Sequence, residues 1–296
     1  MERICLICNP TAKSGEAKTS GQVVAALLQK AGVEAAVYTT EYPGHATELA
    51  KKAVSEGFHT IVSVGGDGTM RETALALANT EVTFGLIPCG TGNDFAKTLH
   101  IPTDPEAAVD VLLHGEDRAI DVGVANDQMF FNVAGIGFDV DVLDYAEAYK
   151  PKYKNGSMAY LRALLKALFD MKLRRSTITF EDGTMEKNVL LIAAGNGRFF
   201  GGGMEVTPNA DPSDGLLDIC IIHDVDLYGV LSVLPKFMKG KHLGSKRYVT
   251  YRKEKSCTFE CSPVSRMEVD GERMYGTPVT FRIMEHALKV RVPRVG

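Results

Sequence analysis

A glycine-rich turn directly behind an apolar run constrains the fold of this chain more than any other feature. Residues 65–69 read Gly-Gly-Asp-Gly-Thr, and the residues 60–64 before them are typical of a buried strand. Glycine lets the backbone adopt positive φ and approach a ligand without an intervening side chain. A helix is predicted next, and its N-terminal N–H groups and dipole favour an anion such as phosphate. The alternative is a tight strand-to-helix turn that binds nothing.

A second loop repeats the arrangement. The apolar run 83–88 is followed by Gly90-Thr91-Gly92-Asn93-Asp94. If the two strands are neighbours, Asp67 and Asp94 lie at one edge of the sheet. Two carboxylates facing a polyphosphate suit Mg²⁺, which prefers oxygen ligands. Asp94 taken alone could equally be a helix cap.

The order of the candidate elements predicts two domains. Strands and helices alternate over residues 1–122, which predicts an α/β domain with a doubly wound, mostly parallel sheet. Over residues 123–285 strands mostly follow one another, which predicts a β-rich, antiparallel, β-sandwich-like domain. The tail, about 286–296, is a candidate to return to the first domain. Ligands of open α/β sheets bind at the carboxyl ends of the strands, where both glycine loops lie.

Composition excludes several classes of protein. With 33 Lys and Arg against 37 Asp and Glu, the formal charge of −4 gives no case for a nucleic-acid partner. No apolar run is long enough for a membrane-spanning helix, and no signal peptide is evident, so we expect a cytoplasmic protein. Cys5 and Cys8 have the spacing of a metal or redox pair. Residues three apart on a strand point to opposite faces, so we interpret both as apolar strand residues.

Two segments are locally basic. Residues 150–175 and 236–255 each carry eight Lys or Arg and one acidic residue. The predicted helix 158–172 also has an apolar stripe of Leu161, Leu164, Leu165, Leu168 and Met171. Core packing explains the stripe, whereas an interfacial helix on an anionic membrane would explain both the stripe and the charge.

Other turns carry polar groups with open roles. The turn Asn9–Gly15 follows the first strand and is either a wall of a nucleotide pocket or an ordinary loop. The glycine cluster 195–203 contains Phe199 and Phe200 and is either a lip over a substrate or a hairpin connection. The Asp-Gly turn at 211–218 is a plain turn or a cation site. The run 268–272 is a charged hairpin tip or holds a general base, since alternation places Glu268 and Asp270 on one face.

In combination these motifs resemble the soluble bacterial diacylglycerol-kinase-like lipid kinases, which contain the diacylglycerol kinase catalytic domain. The resemblance rests on Gly65–Thr69 with Glu72, on Gly90–Ala96, and on Asp270-Gly271-Glu272 in that order. Asn9-Pro10 and Asp214-Gly215-Leu216 also match. Gly-Gly-Asp-Gly-Thr alone is shared with NAD kinases, whereas the second block is much more selective for lipid kinases.

The resemblance implies an ATP-dependent, Mg²⁺-dependent lipid kinase that phosphorylates diacylglycerol or a related lipid alcohol in a cleft between the domains. It implies that Asp67 and Asp94 organise catalytic Mg²⁺ and that Glu272 is the general base. A structural Mg²⁺ would be held by Asp214 with the backbone oxygens of Asp211 and Leu216. The residues expected at ATP are Asn9, Thr40, Gly65, Gly66, Asp67, Gly68, Thr69, Glu72, Gly90, Thr91 and Asn93.

Alternatives remain at this stage. An NAD kinase-like enzyme would use the same first loop, and a nucleotide or lipid sensor could keep the fold without turnover. We expect peripheral association with an anionic membrane, and a homodimer is an open alternative to a monomer. The first loop has two extra residues, Ala12 and Lys13, relative to the Asn-Pro-x-Ser-Gly form of the family, so the contacts of Lys13 and Ser14 stay open.

Overall fold

Parallel strands form the N-terminal half of the structure. The structure is a computed structural model and describes residues 3–11, 16–149, 156–274 and 276–294. The strands of this half that lie side by side in parallel are β1 (Ile4–Cys8), β2 (Ala35–Thr39), β3 (Thr60–Gly65) and β4 (Thr83–Pro88). The helices between and after them are α1 (Glu16–Lys30), α2 (His45–Ser55), α3 (Asp67–Leu77), α4 (Asp94–Thr98) and α5 (Pro105–His114).

Local sequence accounts for several of these boundaries. α2 buries Ala46, Ala50 and Ala53, which recur at helical spacing, and the chain turns away at Gly57 with a φ of 78°. α5 begins where the side chain of Asp104 accepts a hydrogen bond from the N–H of Ala107. These signals place the helix ends close to where the sequence predicts them.

The strand order of this half brings the two glycine loops together. β1 lies between β2 and β3, and β3 pairs in parallel with β4 so that Gly65 lies opposite Pro88. The loops that leave β3 and β4 therefore start side by side at the carboxyl edge. This confirms the predicted mostly parallel α/β domain and meets the condition under which Asp67 and Asp94 lie at one edge of the sheet.

Antiparallel strands dominate the second half, as predicted. After β5 (Glu116–Ala125), three helices interrupt the strands: α6 (Phe138–Tyr149), α7 (Gly156–Phe169) and α8 (Leu227–Phe237). β10 and β11 form a separate hairpin, and a short 3₁₀ helix spans His242–Gly244. The remaining strands are β6 (Gln128–Phe130), β7 (Val133–Gly137), β8 (Arg174–Phe180), β9 (Gly183–Gly195), β10 (Phe199–Phe200), β11 (Met204–Glu205), β12 (Leu217–His223), β13 (Val249–Glu254), β14 (Ser256–Ser262), β15 (Met267–Val269), β16 (Glu272–Met274) and β17 (Val279–Val292).

One long strand joins the two halves. β17 pairs with β14 near its start, runs antiparallel to β5, and reaches β4 where Val290 lies opposite Phe84. The sequence pattern predicts two separate strands, 279–283 and 288–292, and this prediction is wrong. The strand is continuous through a register irregularity between Met284 and Leu288, where His286 takes a φ of 53°.

The sequence pattern also predicts one strand over 129–134, and this prediction is wrong, because the structure divides the segment between β6 and β7. Between them the backbone N–H groups of Phe131 and Asn132 leave the ladder and donate to the carboxylate of Asp270. The competing acceptor comes from a distant part of the chain and cannot be seen in local sequence. The proposed domain limits at residues 122 and 285 stay a prediction, and both β5 and β17 cross them.

Buried apolar residues form a core in each half. Every residue of β1 is buried, including Cys5 and Cys8, and burial raises the pKa of both thiols to about 12. This agrees with their interpretation as apolar strand residues. The stripe on α7 is used partly for packing, since Leu164 packs against α6 and Leu168 against the core that contains α8. Among the described residues, no helix combines the length and apolarity needed to cross a bilayer.

Candidate active site

The two glycine loops touch at their backbones. A Cβ added to Gly90 would lie 2.5 Å from the Cα of Gly66, so any side chain at Gly90 would push the loops apart. A Cβ on Gly65 would lie 2.7 Å from the side chain of Thr69. A Cβ on Gly68, in contrast, meets nothing within 4 Å. The glycines therefore allow close packing inside the turn and leave open space above the first turn of α3.

The carboxylate of Asp67 connects the first loop with the second. Its Oδ2 accepts a hydrogen bond of 2.8 Å from the N–H of Asn93, and its Oδ1 accepts one of 2.8 Å from the N–H of Asp94. Asn93 adopts the left-handed conformation, with a φ of 52°, and its side chain bonds to both the N–H and the carbonyl of Gly90. Asp67 therefore holds the start of α4 against the start of α3.

Asp94 completes a pair of acidic groups. Its Oδ1 contacts the ammonium of Lys97 at 3.1 Å, and its Oδ2 accepts a 2.7 Å hydrogen bond from the N–H of Gly202. A Cβ on Gly92 would lie 2.6 Å from Oδ2 of Asp67 and 3.6 Å from Oδ2 of Asp94, so both carboxylates face this glycine. Burial raises the pKa of the Asp67 carboxyl, the charge of Asp94 raises it further, and the backbone hydrogen bonds act against both.

An apolar cavity of about 240 Å³ opens beside these carboxylates. Helices α6, α7 and α8 and strands β9 and β12 supply its apolar walls. The residues that represent these walls are Val142, Leu164, Leu190, Ile222, Val233 and Phe237. Its polar end is lined by Asp67, Asp94, Glu268 and Asp270. The cavity therefore combines a hydrocarbon-like interior with a cluster of carboxylates at one end.

Asp270 fixes the polar end of the cavity. It has a φ of 49° and accepts hydrogen bonds from the N–H groups of Phe131, Asn132 and Val133. Nε of Arg71, on α3, lies 4.0 Å from its Oδ2. Burial raises the pKa of the Asp270 carboxyl, while these N–H groups and the guanidinium of Arg71 act in the opposite direction. This residue thus connects the hairpin β15–β16, the segment before β7, and α3.

Comparisons with known proteins agree with this geometry. The model of the diacylglycerol kinase catalytic domain matches residues 3–125, and the model of the YegS C-terminal NAD kinase beta sandwich-like domain matches residues 132–292. A diacylglycerol kinase of Mycobacterium tuberculosis (strain ATCC 25618 / H37Rv) is 32% identical and covers 99% of this chain and 96% of its own length. One of Staphylococcus aureus (strain MRSA252) is 30% identical, with coverages of 99% and 93%.

The chain belongs to the diacylglycerol kinase family. Two crystal structures from Bacillus anthracis str. Sterne support the same fold for this family member. One superposes with a TM-score of 0.83 at 26% identity and covers 98% of this chain and 95% of the other. A second, of a diacylglycerol kinase, gives a TM-score of 0.76 at 24% identity, with coverages of 98% and 97%.

Several residues predicted at the nucleotide surround the first glycine loop of this family member. The amide of Asn9 donates to Oγ1 of Thr69 at 3.2 Å, so the turn after β1 and the start of α3 are in contact. Thr40 is buried and its N–H bonds to the carbonyl of Cys8. Thr91 is exposed on the second loop. Lys13 and Ser14 lie outside the described residues.

Glu72 has a partner that the sequence did not suggest. Its carboxylate accepts hydrogen bonds from the N–H groups of Gly44 and Ala46, at 2.8 and 3.1 Å, and so satisfies the N-terminus of α2. In this family member Glu72 thus orients α2, and with it the end of β2 that carries Thr40. A direct contact between Glu72 and a nucleotide stays a prediction.

Glu272 lies at the edge of the site. It is exposed at the start of β16, one residue after Gly271, which lines the cavity. Within the described residues no hydrogen bond or ion pair joins it to Asp67 or Asp94. Its neighbour Glu268 is buried, lines the cavity, and accepts a 2.7 Å hydrogen bond from the N–H of Gly271. The role of Glu272 as general base stays a prediction.

The residues of the 211–216 turn are together, but their oxygens have protein partners. The N–H of Leu216 donates to Oδ1 of Asp214 at 3.1 Å, and the ammonium of Lys253 contacts Oδ2 at 2.5 Å. The carbonyl of Asp211 accepts from the N–H of Asp214 at 3.3 Å. The Lys253 ammonium therefore offsets the charge of the Asp214 carboxylate, and Mg²⁺ at this turn would have to compete with it. Metal binding at this turn stays a prediction.

The apolar walls of the cavity escaped sequence reasoning. Val142, Ile222 and Val233 look like ordinary core residues because a cavity wall and a core face have the same helical or strand spacing. Phe200 was considered as part of a lip over a substrate, and it does line the cavity together with Gly201 and Gly202. The placement of Glu268 and Asp270 was predictable, because strand alternation puts both on one face, and both line the cavity.

Proposed function

We propose that this chain is an ATP-dependent, Mg²⁺-dependent lipid kinase that phosphorylates the hydroxyl of diacylglycerol or a related lipid alcohol. The observation that carries the proposal is the cavity, whose apolar interior ends at the carboxylates of Asp67 and Asp94. An acyl chain loses contact with water in such a space, and each buried CH₂ group contributes about 0.8 kcal/mol. A lipid held there would present its hydroxyl at the loops that we assign to the nucleotide.

The proposed ATP site is the surface above the two glycine loops. The first N–H groups of α3 have no acceptor within the helix, and the open space over Gly68 lets a phosphate approach them. Asn9 and Thr69 lie beside this point and offer polar side chains. Thr91 adds an exposed hydroxyl on the second loop. Phosphoryl transfer depends mainly on positioning and charge neutralisation, which such a cradle supplies.

Asp67 and Asp94 are the residues that would hold catalytic Mg²⁺. Both carboxylates face Gly92, so two of the oxygen donors that Mg²⁺ prefers lie close to one point beside the second loop, where a cation would offset their charge. When bound, Mg²⁺ would neutralise charge on the phosphate oxygens. The chain's own contribution is to fix the two carboxylates, through the N–H groups of Asn93, Asp94 and Gly202.

We propose Glu272 as the acceptor of the proton that leaves the lipid hydroxyl. The proposal rests on the resemblance of Asp270-Gly271-Glu272 to the family motif and on the place of Gly271 in the cavity wall. Asp270 anchors this hairpin to the segment before β7, and Glu272 follows directly after the cavity residue Gly271. A general base must come within hydrogen-bond distance of the hydroxyl once substrate is bound.

The deciding experiment is transfer of labelled phosphate from ATP to purified acceptors. Diacylglycerol, a total lipid extract and NAD are tested separately with Mg²⁺, and mass spectrometry identifies the product. Phosphatidic acid from diacylglycerol supports the proposal. Phosphorylation of NAD alone identifies an NAD kinase, and tight ATP binding without transfer to any acceptor identifies a sensor. Glu272→Gln should lose turnover and keep ATP affinity, and unchanged turnover would remove it from the mechanism.

We also propose that the enzyme associates peripherally with anionic membranes, because its substrate resides in bilayers. The locally basic segments 150–175 and 236–255 support this proposal. A homodimer remains a proposal as well, and light scattering on the purified chain distinguishes it from a monomer.

A further inference from the structure

Helix α8 carries large apolar side chains on its outer face as well as on its inner face. Val230, Val233 and Phe237 are buried on one face, and all three line the cavity. On the other face Leu227 and Leu231 are exposed, and Tyr228 is 82% exposed. A helix at a protein–water boundary normally carries polar residues on its outer face. The exposed apolar side chains on the outer face of α8 therefore indicate that this face contacts something other than water.

Helix α7 also exposes apolar side chains. Leu165 is exposed, and Phe169, the last residue of the helix, is 87% exposed. On the inner face of α7, Leu164 lines the same cavity that α8 lines. Leu168 packs against the core that contains Val230 and Val233. The two helices thus line the same cavity on their inner sides and expose apolar side chains on their outer sides.

Exposed lysines lie at and just beyond the C-terminal end of α8. Lys236, Lys239 and Lys241 are exposed, and within the described residues no carboxylate pairs with any of them. The sequence from Leu227 to Lys253 contains no acidic residue at all. Such a combination of exposed apolar side chains and unneutralised lysines complements a surface that is apolar inside and negatively charged outside.

We propose that this surface, here named the α7–α8 surface, inserts into the facing leaflet of an anionic bilayer. The lipid substrate would pass from that leaflet into the cavity. Its apolar residues are Leu165, Phe169, Leu173, Leu227, Tyr228, Leu231 and Met238, and its cations are Lys236, Lys239 and Lys241. This inference names the partner surface of the lipid kinase and rests on that proposed function. The apolar side chains enter the acyl region while the lysines remain at the headgroups.

A bilayer suits the surface better than a second copy of this chain does. A symmetric contact would place the same patch on both sides of the interface. The lysines of one copy would then approach those of the other without acidic residues between them, which is unfavourable. An anionic headgroup layer supplies the missing negative charge.

The test measures co-sedimentation of the purified chain with vesicles of phosphatidylcholine, alone or mixed equally with phosphatidylglycerol. We expect binding to the anionic vesicles. The double variant Tyr228→Ser/Leu231→Ser should weaken that binding by about tenfold, because it removes two inserting side chains. Lys239→Glu/Lys241→Glu should weaken it by a similar factor, and added salt should reproduce the effect of the charge change.

Matched substitutions elsewhere serve as controls. Val264→Ser removes a side chain that is 75% exposed, and Lys51→Glu changes an exposed lysine on α2. Both should bind vesicles like the unmodified chain. All variants should phosphorylate a short-chain diacylglycerol in solution at the unmodified rate, because none of the changed residues lines the cavity. Thermal melting confirms that each variant is folded.

The outcomes are distinct. No binding of the unmodified chain to anionic vesicles, or unchanged binding by the Tyr228→Ser/Leu231→Ser variant, overturns the inference. Self-association that disappears in the same variant assigns the surface to a second copy and also overturns it. Vesicle binding that depends on both groups of residues, without phosphate transfer to any lipid, supports the α7–α8 surface and removes the proposed kinase function.

Discussion

The backbone N–H of Asp94 donates a 2.8 Å hydrogen bond to the side chain of Asp67, so the second predicted catalytic residue is placed by the first. The N–H of Asn93 donates to the other oxygen of the same carboxylate. One side chain therefore sets the distance between the two glycine loops and supplies charge to the proposed metal site. A structural role and the proposed catalytic role therefore fall on the same residue.

Substituting Asp67 by Asn tests this double role. The amide of Asn offers one acceptor and one donor, so one of the two N–H groups at the start of α4 would face a donor instead of an acceptor. We expect unfolding free energy to fall by about 1–3 kcal/mol and kcat to fall by at least about a hundredfold. Urea denaturation and the phosphate-transfer assay measure the two effects. Asp110→Asn, on an exposed position of α5, should change neither quantity.

Charge coupling between the two carboxylates predicts a shift in titration. Burial and the charge of Asp94 raise the pKa of Asp67, so Asp94→Asn should lower the pKa of Asp67 toward the ordinary value. NMR of the labelled carboxyl carbon measures it directly in the nucleotide-free protein. Because the folded pKa is raised, Asp67 contributes stability below its ordinary pKa that is lost as pH rises through the raised value. An unmoved titration in Asp94→Asn would contradict the coupling.

Asp270 should be important for the stability of the junction. Asp270→Ala leaves the N–H groups of Phe131, Asn132 and Val133 without their acceptor and removes the carboxylate near Arg71. We expect a loss of about 3–5 kcal/mol in unfolding free energy. Asp104→Ala removes one helix cap in the first half and should cost about 1 kcal/mol, which provides a scale. Equal losses of unfolding free energy in the two variants would show that Asp270 contributes no more to stability than a single helix cap does.

The contact of Lys253 with the 211–216 turn leads to a prediction about Mg²⁺ binding there. Lys253 contacts Asp214 and lies 3.5 Å from Asp218, whose pKa is raised by burial. Removing the ammonium in Lys253→Met leaves two neighbouring carboxylates, which should bind Mg²⁺ more tightly than the unmodified turn does. Mg²⁺ should therefore raise the melting temperature of the variant more than that of the unmodified chain. Equal increases, or a larger one in the unmodified chain, would contradict a competition between Lys253 and Mg²⁺ at this turn.

Filling the cavity should separate lipid binding from nucleotide binding. Val233→Trp places a large side chain in the apolar walls, and we expect KM for long-chain diacylglycerol to rise at least about tenfold. ATP affinity should be unchanged, because Val233 is not among the residues of the two glycine loops. Val23→Trp, at an exposed position of α1, is the size-matched control. A parallel loss of ATP affinity would mean that the substitution disturbs more than the cavity.

How well the sequence predicted this molecule depended on the range of the interactions. The turns at Gly65–Thr69 and Gly90–Asp94 were predictable because strand, glycine and helix start are consecutive. The break between β6 and β7 was not, because Asp270, which causes it, is 138 residues away from Asn132. The partner of Glu72 was hidden for the same reason, since α2 and α3 meet only after folding.

The cavity was hidden by a different physical cause. Val233 and Leu164 satisfy the same periodicity whether they face a packed core or an empty space, so the pattern predicts burial and not what fills it. The exposure of one side of α8 could not be predicted from the sequence either, because a helix with leucines on both sides is typical of a deeply buried helix. Only the fold shows that Tyr228 faces outward.

The strand β17 also determines when the N-terminal half can be completed during synthesis. Its end, around Val290, occupies the place beside Phe84 on β4 and pairs with β5 on its other side. β4 and β5 are translated long before this strand leaves the ribosome. In the nascent chain, the edge of β4 that pairs with β17 therefore stays without its partner strand until β17 has been translated.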